Sequence, residues 1–327
     1  MRSGPACGSI IAMPKVVITE TLDQACADWL SEQCEVVWHP HDQPGLDAQL
    51  ADADALVVRT YTEVNDALLD RAPNVKVIGR AGVGLDNFDL SACERRGVRV
   101  VYTPDANTQA VVEYVFGLML DHYRPRTALQ PGTDAQAFHA LRKSEVGLEL
   151  ADLTIGILGM GRIGKRIATV AHAMGMNVLG CDLIDEAEVR KHIPHVPFDF
   201  VDHNKLYRES RIITIHVDGR PKNRHLINAE ALTHFRDDAL LINAARGMLV
   251  DHDALEAWLE QHPQASALLD VHDPEPPAED HPLYGLPKAT LLPHLASRTD
   301  TALANMSWVV RDVAAVLKGR EPEYPAF

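Results

Sequence analysis

Short apolar runs alternate with amphipathic stretches along nearly the whole chain. "KVVIT", "EVVWH", "ALVVR", "VKVIG" and "VRVVY" are each a few residues long and rich in β-branched side chains, which predicts buried strands. Between them "TLDQACADWLSEQ" and "DLSACERRG" carry apolar residues at helical spacing. Strand–helix alternation predicts parallel strands joined by crossover helices, because parallel neighbours need a long connection. From Gln109 to Arg124, "QAVVEYVFGLMLDHYR" reads as a helix closed by Pro125. A polar stretch with prolines, "PRTALQPGTDAQAFHALRKSE", then interrupts the alternation without a strand signal. Alternation resumes at "LTIGILGMGRIGKRIATVAHAMGMNVLGCD" and continues through "RIITIHV", "ALLINAARG", "ASALLDV" and "ATLLPHL". A last helix, from about Thr299 to Leu317, has no strand after it. Its expected destination is the first parallel unit, since the second already has its own strands and helices.

At 327 residues the chain is longer than one core usually serves, so two domains are expected. A formal net charge of −15 argues against nucleic acid or an anionic membrane as partner. The five cysteines are scattered, odd in number and without a CxxC pair, so neither a disulfide scaffold nor a metal site is expected, and a cytoplasmic setting fits. No apolar run is long enough to span a bilayer. The opening "MRSGPACGSIIAMPK" lacks an apolar signal segment and reads as a loose extension, with Met13 as a candidate for the ancestral start.

The most informative stretch is "ILGMGRIGKR", which sets Gly159, Gly161 and Gly164 in a G-x-G-x-x-G spacing between a predicted strand and a predicted helix. There the first glycine permits a tight turn, the second lets backbone approach a pyrophosphate, and the third lets helix pack on strand. The helix N-terminus offers unpaired N–H groups to the phosphates, and Arg162 can add a charge-assisted contact. The next strand, "NVLGCD", ends in Asp182, the acid this motif expects for the ribose hydroxyls. A carboxylate there repels a 2′-phosphate, so the expected cofactor is NAD, although Arg190 and Lys191 stand nearby in sequence.

Three later strands each end in a polar residue: "LLINAARG" in Arg246, "LLDVHDPEP" in Glu275 and "TLLPHLAS" in His294. Ligands of parallel α/β sheets bind outside the carboxyl ends of the strands, so the three are expected to converge. Together with "GRAGVGLDN" and "HVDGRPKNRHLIN", these motifs resemble the D-2-hydroxyacid dehydrogenase family from Lys15 to about Lys318, and "GRAGVGLDN" is most similar to its phosphoglycerate dehydrogenase branch. The chain stops soon after its last helix, so the C-terminal regulatory domain of many such enzymes is not expected. The resemblance implies an α/β protein of two parallel-sheet, Rossmann-like or flavodoxin-like domains with an active-site cleft between them. It places a discontinuous substrate-binding domain at 14–112 plus 296–327. It places the NAD-binding domain at 113–295, with a dimerisation arm at 125–150 and hence a homodimer.

The implied reaction is NAD-dependent interconversion of a D-2-hydroxy acid and its 2-keto acid. His294 is the acid/base, since histidine titrates near working pH. Glu275 orients it, and Arg246 clamps the carboxylate and polarises the carbonyl. Asp270 is expected at the nicotinamide carboxamide. Thr108, Ile163 and Ala244 complete the expected cofactor neighbours. Upstream, backbone N–H groups of Gly82, Val83 and Gly84 form a candidate nest for the substrate carboxylate. Arg59 and Arg80, at neighbouring strand ends, could read a second anion such as phosphate, or could pair with Asp66 or Asp86. His272, Asp273 and His216 receive a structural reading. The loop "HVDGRPKN" departs from the family, which often has proline after that strand, and this leaves the adenosine-side contacts open. The substrate also stays open between 3-phosphoglycerate, glyoxylate or hydroxypyruvate, and other small acids. Two rivals share the fold: formate dehydrogenase, which has glutamine in place of Glu275, and NAD-sensing co-repressors that act as binding modules.

Overall fold

A computed structural model describes residues 13–327; the reading of the opening stretch as an extension falls outside the described residues. The chain parts into two compact units, one running to Asn107 and resuming over Thr299–Phe327, the other Thr108–Arg298.

The first unit is built on five parallel strands: β1 (Lys15–Ile18), β2 (Glu35–Trp38), β3 (Ala55–Val58), β4 (Val77–Arg80) and β5 (Arg99–Tyr102). Their spatial order is β2-β1-β3-β4-β5. Central β3 is buried at every position, while edge strand β2 is not, because only an inner strand is covered on both faces. Val309, Val310, Val313 and Ala314 join the core under this sheet. Gly79 in β4 permits that packing: a Cβ there would lie 2.5 Å from Cγ2 of fully buried Val313. The sequence pattern predicts one closing helix, but there are two, Asp300–Ser307 and Val310–Leu317. At Trp308 the N–H turns back to carbonyls of the preceding turn, and its ring meets Trp29 edge-on at 6.0 Å.

The second unit holds β6 (Thr154–Leu158), β7 (Asn177–Cys181), β8 (Asp199–Phe200), β9 (Ile212–Ile215), β10 (Leu240–Asn243), β11 (Ser266–Leu269) and β12 (Ala289–Leu291). All pair in parallel, in the order β12-β11-β10-β9-β6-β7-β8. The order reverses between β6 and β9, where a doubly wound sheet opens a crevice at its carboxyl edge. Two-residue β8 escapes sequence reading because an edge strand that short has no periodicity to detect. The helix Thr108–Tyr123 lies whole in this unit and buries Val112, Val115, Phe116 and Met119 in its core. The polar stretch after it contains a further helix, Ala135–Ser144, capped by Asp134 and with no buried residue. Cys26, Cys34, Cys93 and Cys181 are buried free thiols.

Several histidines of the second unit are held neutral. His281 Nδ1 accepts the Leu283 N–H, so its proton sits on Nε2, which donates to His252 Nδ1 at 3.0 Å. Burial pushes His252 down to about 4, assisted by His281 and His272, and lowers His281. His216 has its Nδ1 enclosed without a partner and Nε2 on the Thr214 hydroxyl at 2.8 Å; burial brings it down to about 3. Each takes up a proton near 6.5 when unfolded but not when folded, so the unfolded chain binds more protons as pH falls. Their contribution to stability is complete above about pH 6.5 and is lost towards pH 4, by at most about 1.4 kcal/mol per pH unit for each. Chemical denaturation of this unit across that window should show stability falling with pH; a flat profile would contradict the neutral assignment.

Candidate functional site

The glycine loop follows β6 and enters the helix Arg162–Ala173. Gly159 has φ +94°, and a Cβ on it would lie 2.5 Å from the His216 carbonyl oxygen, so only glycine makes this turn. A Cβ on Gly164 would fall 1.9 Å from the Gly159 oxygen, which is the close helix–strand approach the motif requires. Gly161 has open space beside it. No side chain caps this helix and no acidic residue sits in its first turn, so its N–H groups and dipole face outward. Ile163 packs on the core behind the loop, and Arg162 is exposed at the helix start. These features fit a dinucleotide pyrophosphate.

Asp182 follows β7 and ties this corner together. Its carboxylate accepts the Met160 N–H at 2.6 Å and the Ile184 N–H at 2.9 Å. The unusual loop after β9 closes on Asp218, which accepts from Arg220 Nε at 2.6 Å and Asn223 Nδ2 at 3.0 Å. Asp218, and more weakly Asp182, raise the pKa of the Arg220 guanidinium.

Arg246, Glu275 and His294 follow β10, β11 and β12 at the carboxyl edge of this sheet. Glu275 and His294, nineteen residues apart, meet through Oε2 and Nδ1 at 2.9 Å. The other oxygen of Glu275 accepts the backbone N–H of His272 at 2.9 Å. Burial pushes the Glu275 carboxyl up, but the hydrogen bonds from His294 and His272 outweigh it and bring it below its usual value. An ionised carboxylate only accepts, so Nδ1 of His294 carries the proton that it donates to Glu275. The side chains are 42% and 36% exposed, open enough to meet a ligand. Arg246 is half-buried in the turn after β10. Gly247 beside it touches the backbone of His272 and Asp273, where a Cβ would lie 1.9 Å from the His272 carbonyl carbon. The arginine turn and the glutamate turn are thus packed backbone to backbone. Half-buried Ala244 packs on the core beneath them.

Asp270, fully buried, has both carboxylate oxygens engaged. Oδ1 accepts from Tyr114 Oη at 3.0 Å and from Leu295 N at 2.8 Å, and Oδ2 accepts from Ala296 N at 2.8 Å. Thr108 opens the helix that carries Tyr114. The attractive neighbours His272 and Asp273 have other partners. His272 is buried and donates Nε2 to the Leu292 carbonyl at 2.8 Å, and Asp273 pairs with Arg224 at 2.8 Å.

In the first unit, Arg80 turns onto its own loop. Its Nε donates to the Gly84 carbonyl at 2.8 Å and Nη1 to that of Ala81 at 3.1 Å. The Gly82 N–H, expected to face a carboxylate, donates instead to the Arg80 carbonyl at 2.8 Å, and half-buried Val83 lies between these bonds. Arg59 donates Nη1 to the Thr21 carbonyl at 3.2 Å. Asp66, considered as a partner for these arginines, pairs with Arg95 and Arg96.

Sequence reasoning missed the residues that hold these groups still. Asn243, fully buried at the end of β10, donates to the Arg246 carbonyl at 2.8 Å and accepts the Ala245 N–H at 3.1 Å. Glu20 accepts the N–H groups of Arg59, Thr60, Tyr61 and Thr62. It thereby ties the end of β1 to the loop after β3, where the strand order of the first sheet reverses, and the four bonds offset burial to lower its pKa. The asparagine stands in the quoted "LLINAARG", but nothing in periodicity separates a loop-holding amide from a packed one.

Residues 116–296 match the model of the D-isomer specific 2-hydroxyacid dehydrogenase NAD binding domain. The chain is 36% identical to the D-3-phosphoglycerate dehydrogenase of Methanocaldococcus jannaschii, over 95% of this chain and 59% of that protein. It thus spans little more than half of that relative's length. It is 34% identical to the glyoxylate reductase of Thermofilum pendens, over 95% of this chain and 94% of that one. A solved structure from Thermus thermophilus superposes with a TM-score of 0.82 at 33% identity, covering 96% of this chain and 100% of that one. The two parallel sheets, the glycine loop and these likenesses agree: the chain belongs to the D-isomer specific 2-hydroxyacid dehydrogenase family, with the family's NAD binding domain at residues 116–296.

Proposed function

We propose that the protein reduces a small 2-keto acid to its D-2-hydroxy acid, and runs the reverse oxidation, with NAD as coenzyme. The observation that carries this reading is the 2.9 Å contact between Glu275 and His294 Nδ1, which leaves Nε2 of the imidazole for the substrate. Gly159, Gly161, Gly164 and the N–H groups of the following helix hold the pyrophosphate, and Asp182 holds the ribose. When bound, the reduced nicotinamide supplies the hydride. His294 Nε2 gives its proton to the carbonyl oxygen as negative charge develops there, and takes it back in the oxidation direction. Glu275 keeps the ring oriented and its Nδ1 proton in place. Arg246, steadied by Asn243, binds the carboxylate with a charge that never titrates.

The engagement of Arg80 with its own loop carbonyls favours an unphosphorylated substrate such as glyoxylate or hydroxypyruvate. A panel of 2-keto acids followed by NADH absorbance tests this, with His294→Asn beside the parent. The parent should turn over at least one acid, and hydroxypyruvate should do at least as well as 3-phosphohydroxypyruvate. The variant should lose about 10²–10⁴-fold in kcat with NADH affinity nearly intact. Full activity in the variant would remove His294 from the chemistry.

Among the described residues no helix is long and apolar enough to cross a membrane. The buried free thiols support a reducing, cytoplasmic setting. Residues 125–150 form the proposed homodimer contact, supported by the helix Ala135–Ser144 without a buried residue and by exposed Leu129, Phe138, Val146 and Leu148. Sedimentation velocity at micromolar concentration should give a dimer, and Phe138→Glu should shift it to monomer. A monomeric parent would exclude this assembly.

A further inference from the structure

His294 occupies the left-handed region, φ +54°, without being glycine. That conformation is unfavourable for an L-residue and persists only where neighbouring groups hold it. On the upstream side the His294 N–H donates to the Leu292 carbonyl at 3.1 Å, and the Leu292 N–H donates to that of Leu269 at 2.8 Å. On the downstream side the next two backbone N–H groups, of Leu295 and Ala296, both end on Asp270. The bend that presents the imidazole is therefore clamped by one buried carboxylate.

That carboxylate depends in turn on Tyr114. A fully buried carboxylate needs its lone pairs met by donors. The donors are the two N–H groups and the Tyr114 hydroxyl, which shares Oδ1 with the Leu295 N–H. Tyr114 comes from the helix Thr108–Tyr123, more than a hundred and fifty residues away in the chain, and its backbone is fixed by that helix's core packing. The hydroxyl thus blocks rotation of the carboxylate from a direction the His294 loop cannot supply.

We propose that Tyr114 is a positioning residue for the proton-transfer group: through Asp270 it holds the Leu295 and Ala296 peptides, and with them keeps the His294 ring on Glu275. Asp270 then acts mainly on the loop. The inference rests on the dehydrogenase reading for its consequence in turnover, but its structural content can be read without turnover. A role for Asp270 confined to the nicotinamide would make loss of the hydroxyl a defect of cofactor binding. A positioning role makes it a defect of kcat.

The test is Tyr114→Phe in the full chain, with Asp270→Asn as a second and more severe variant. Three quantities are measured: amide hydrogen exchange at Leu295 and Ala296, NADH dissociation constant, and kcat with the best keto acid. For Tyr114→Phe the two amides should exchange about tenfold faster while amides of β9 and β10 are unchanged. Its kcat should fall about three- to tenfold with NADH affinity within about twofold. Unchanged exchange at both amides overturns the proposal, as does weakened NADH binding with kcat intact. Equal acceleration throughout the sheet also overturns it, since that is general loosening. If the parent turns over no keto acid, the dehydrogenase reading falls, and the exchange at Leu295 and Ala296 still decides the positioning role.

Discussion

The candidate chemistry hangs on one carboxylate placed between a backbone N–H and an imidazole. Glu275 takes the His272 N–H on one oxygen and His294 Nδ1 on the other. The first bond fixes the side chain to its own turn, so the second can fix the ring of a residue on the neighbouring strand. Such a bridge is possible because all strands of this sheet are parallel. Their carboxyl ends lie along one edge, so the turns after β11 and β12 bring Glu275 to His294, and the turn that carries Arg246 packs on the backbone of His272 and Asp273. Gly247 removes the one side chain that would have kept two of those turns apart.

The same edge carries an unusual amount of fixed polar structure. Asn243, Asp270 and His272 are all buried, and each bonds backbone of a loop that bears a functional group. Buried polar groups are costly unless satisfied, and here backbone groups of the neighbouring loops meet most of them, while Nδ1 of His272 is enclosed without a partner. The first unit uses the same device with Glu20 and the loop from Arg59 to Thr62. Loops that fold well on their own would not need these partners. A left-handed histidine and glycine turns in close backbone contact do need them.

Most of the fold was legible in the sequence because buried parallel strands are continuous apolar runs and stand out even when short. Strand β8 has two residues and did not, and no glycine or proline marks the break at Trp308, whose ring meets Trp29 edge-on. The glycine loop and the contact between Glu275 and His294 were legible because strand-end position and residue chemistry coincide. The positioning layer was not. Tyr114 reads as one more large residue in a mostly apolar helix, and only the fold reveals that its hydroxyl reaches Asp270. Arg80 shows a second gap: that Nε and Nη1 of a strand-end arginine bond carbonyls of its own loop is seen only in the fold.

The claim that Glu275 and His294 work as one unit is tested most directly by a double-mutant cycle in kcat/KM with Glu275→Gln, His294→Asn and the pair. Because the glutamate acts through the histidine, the double variant should be no worse than His294→Asn alone. Losses that add in the double variant would show two independent roles and would contradict the account.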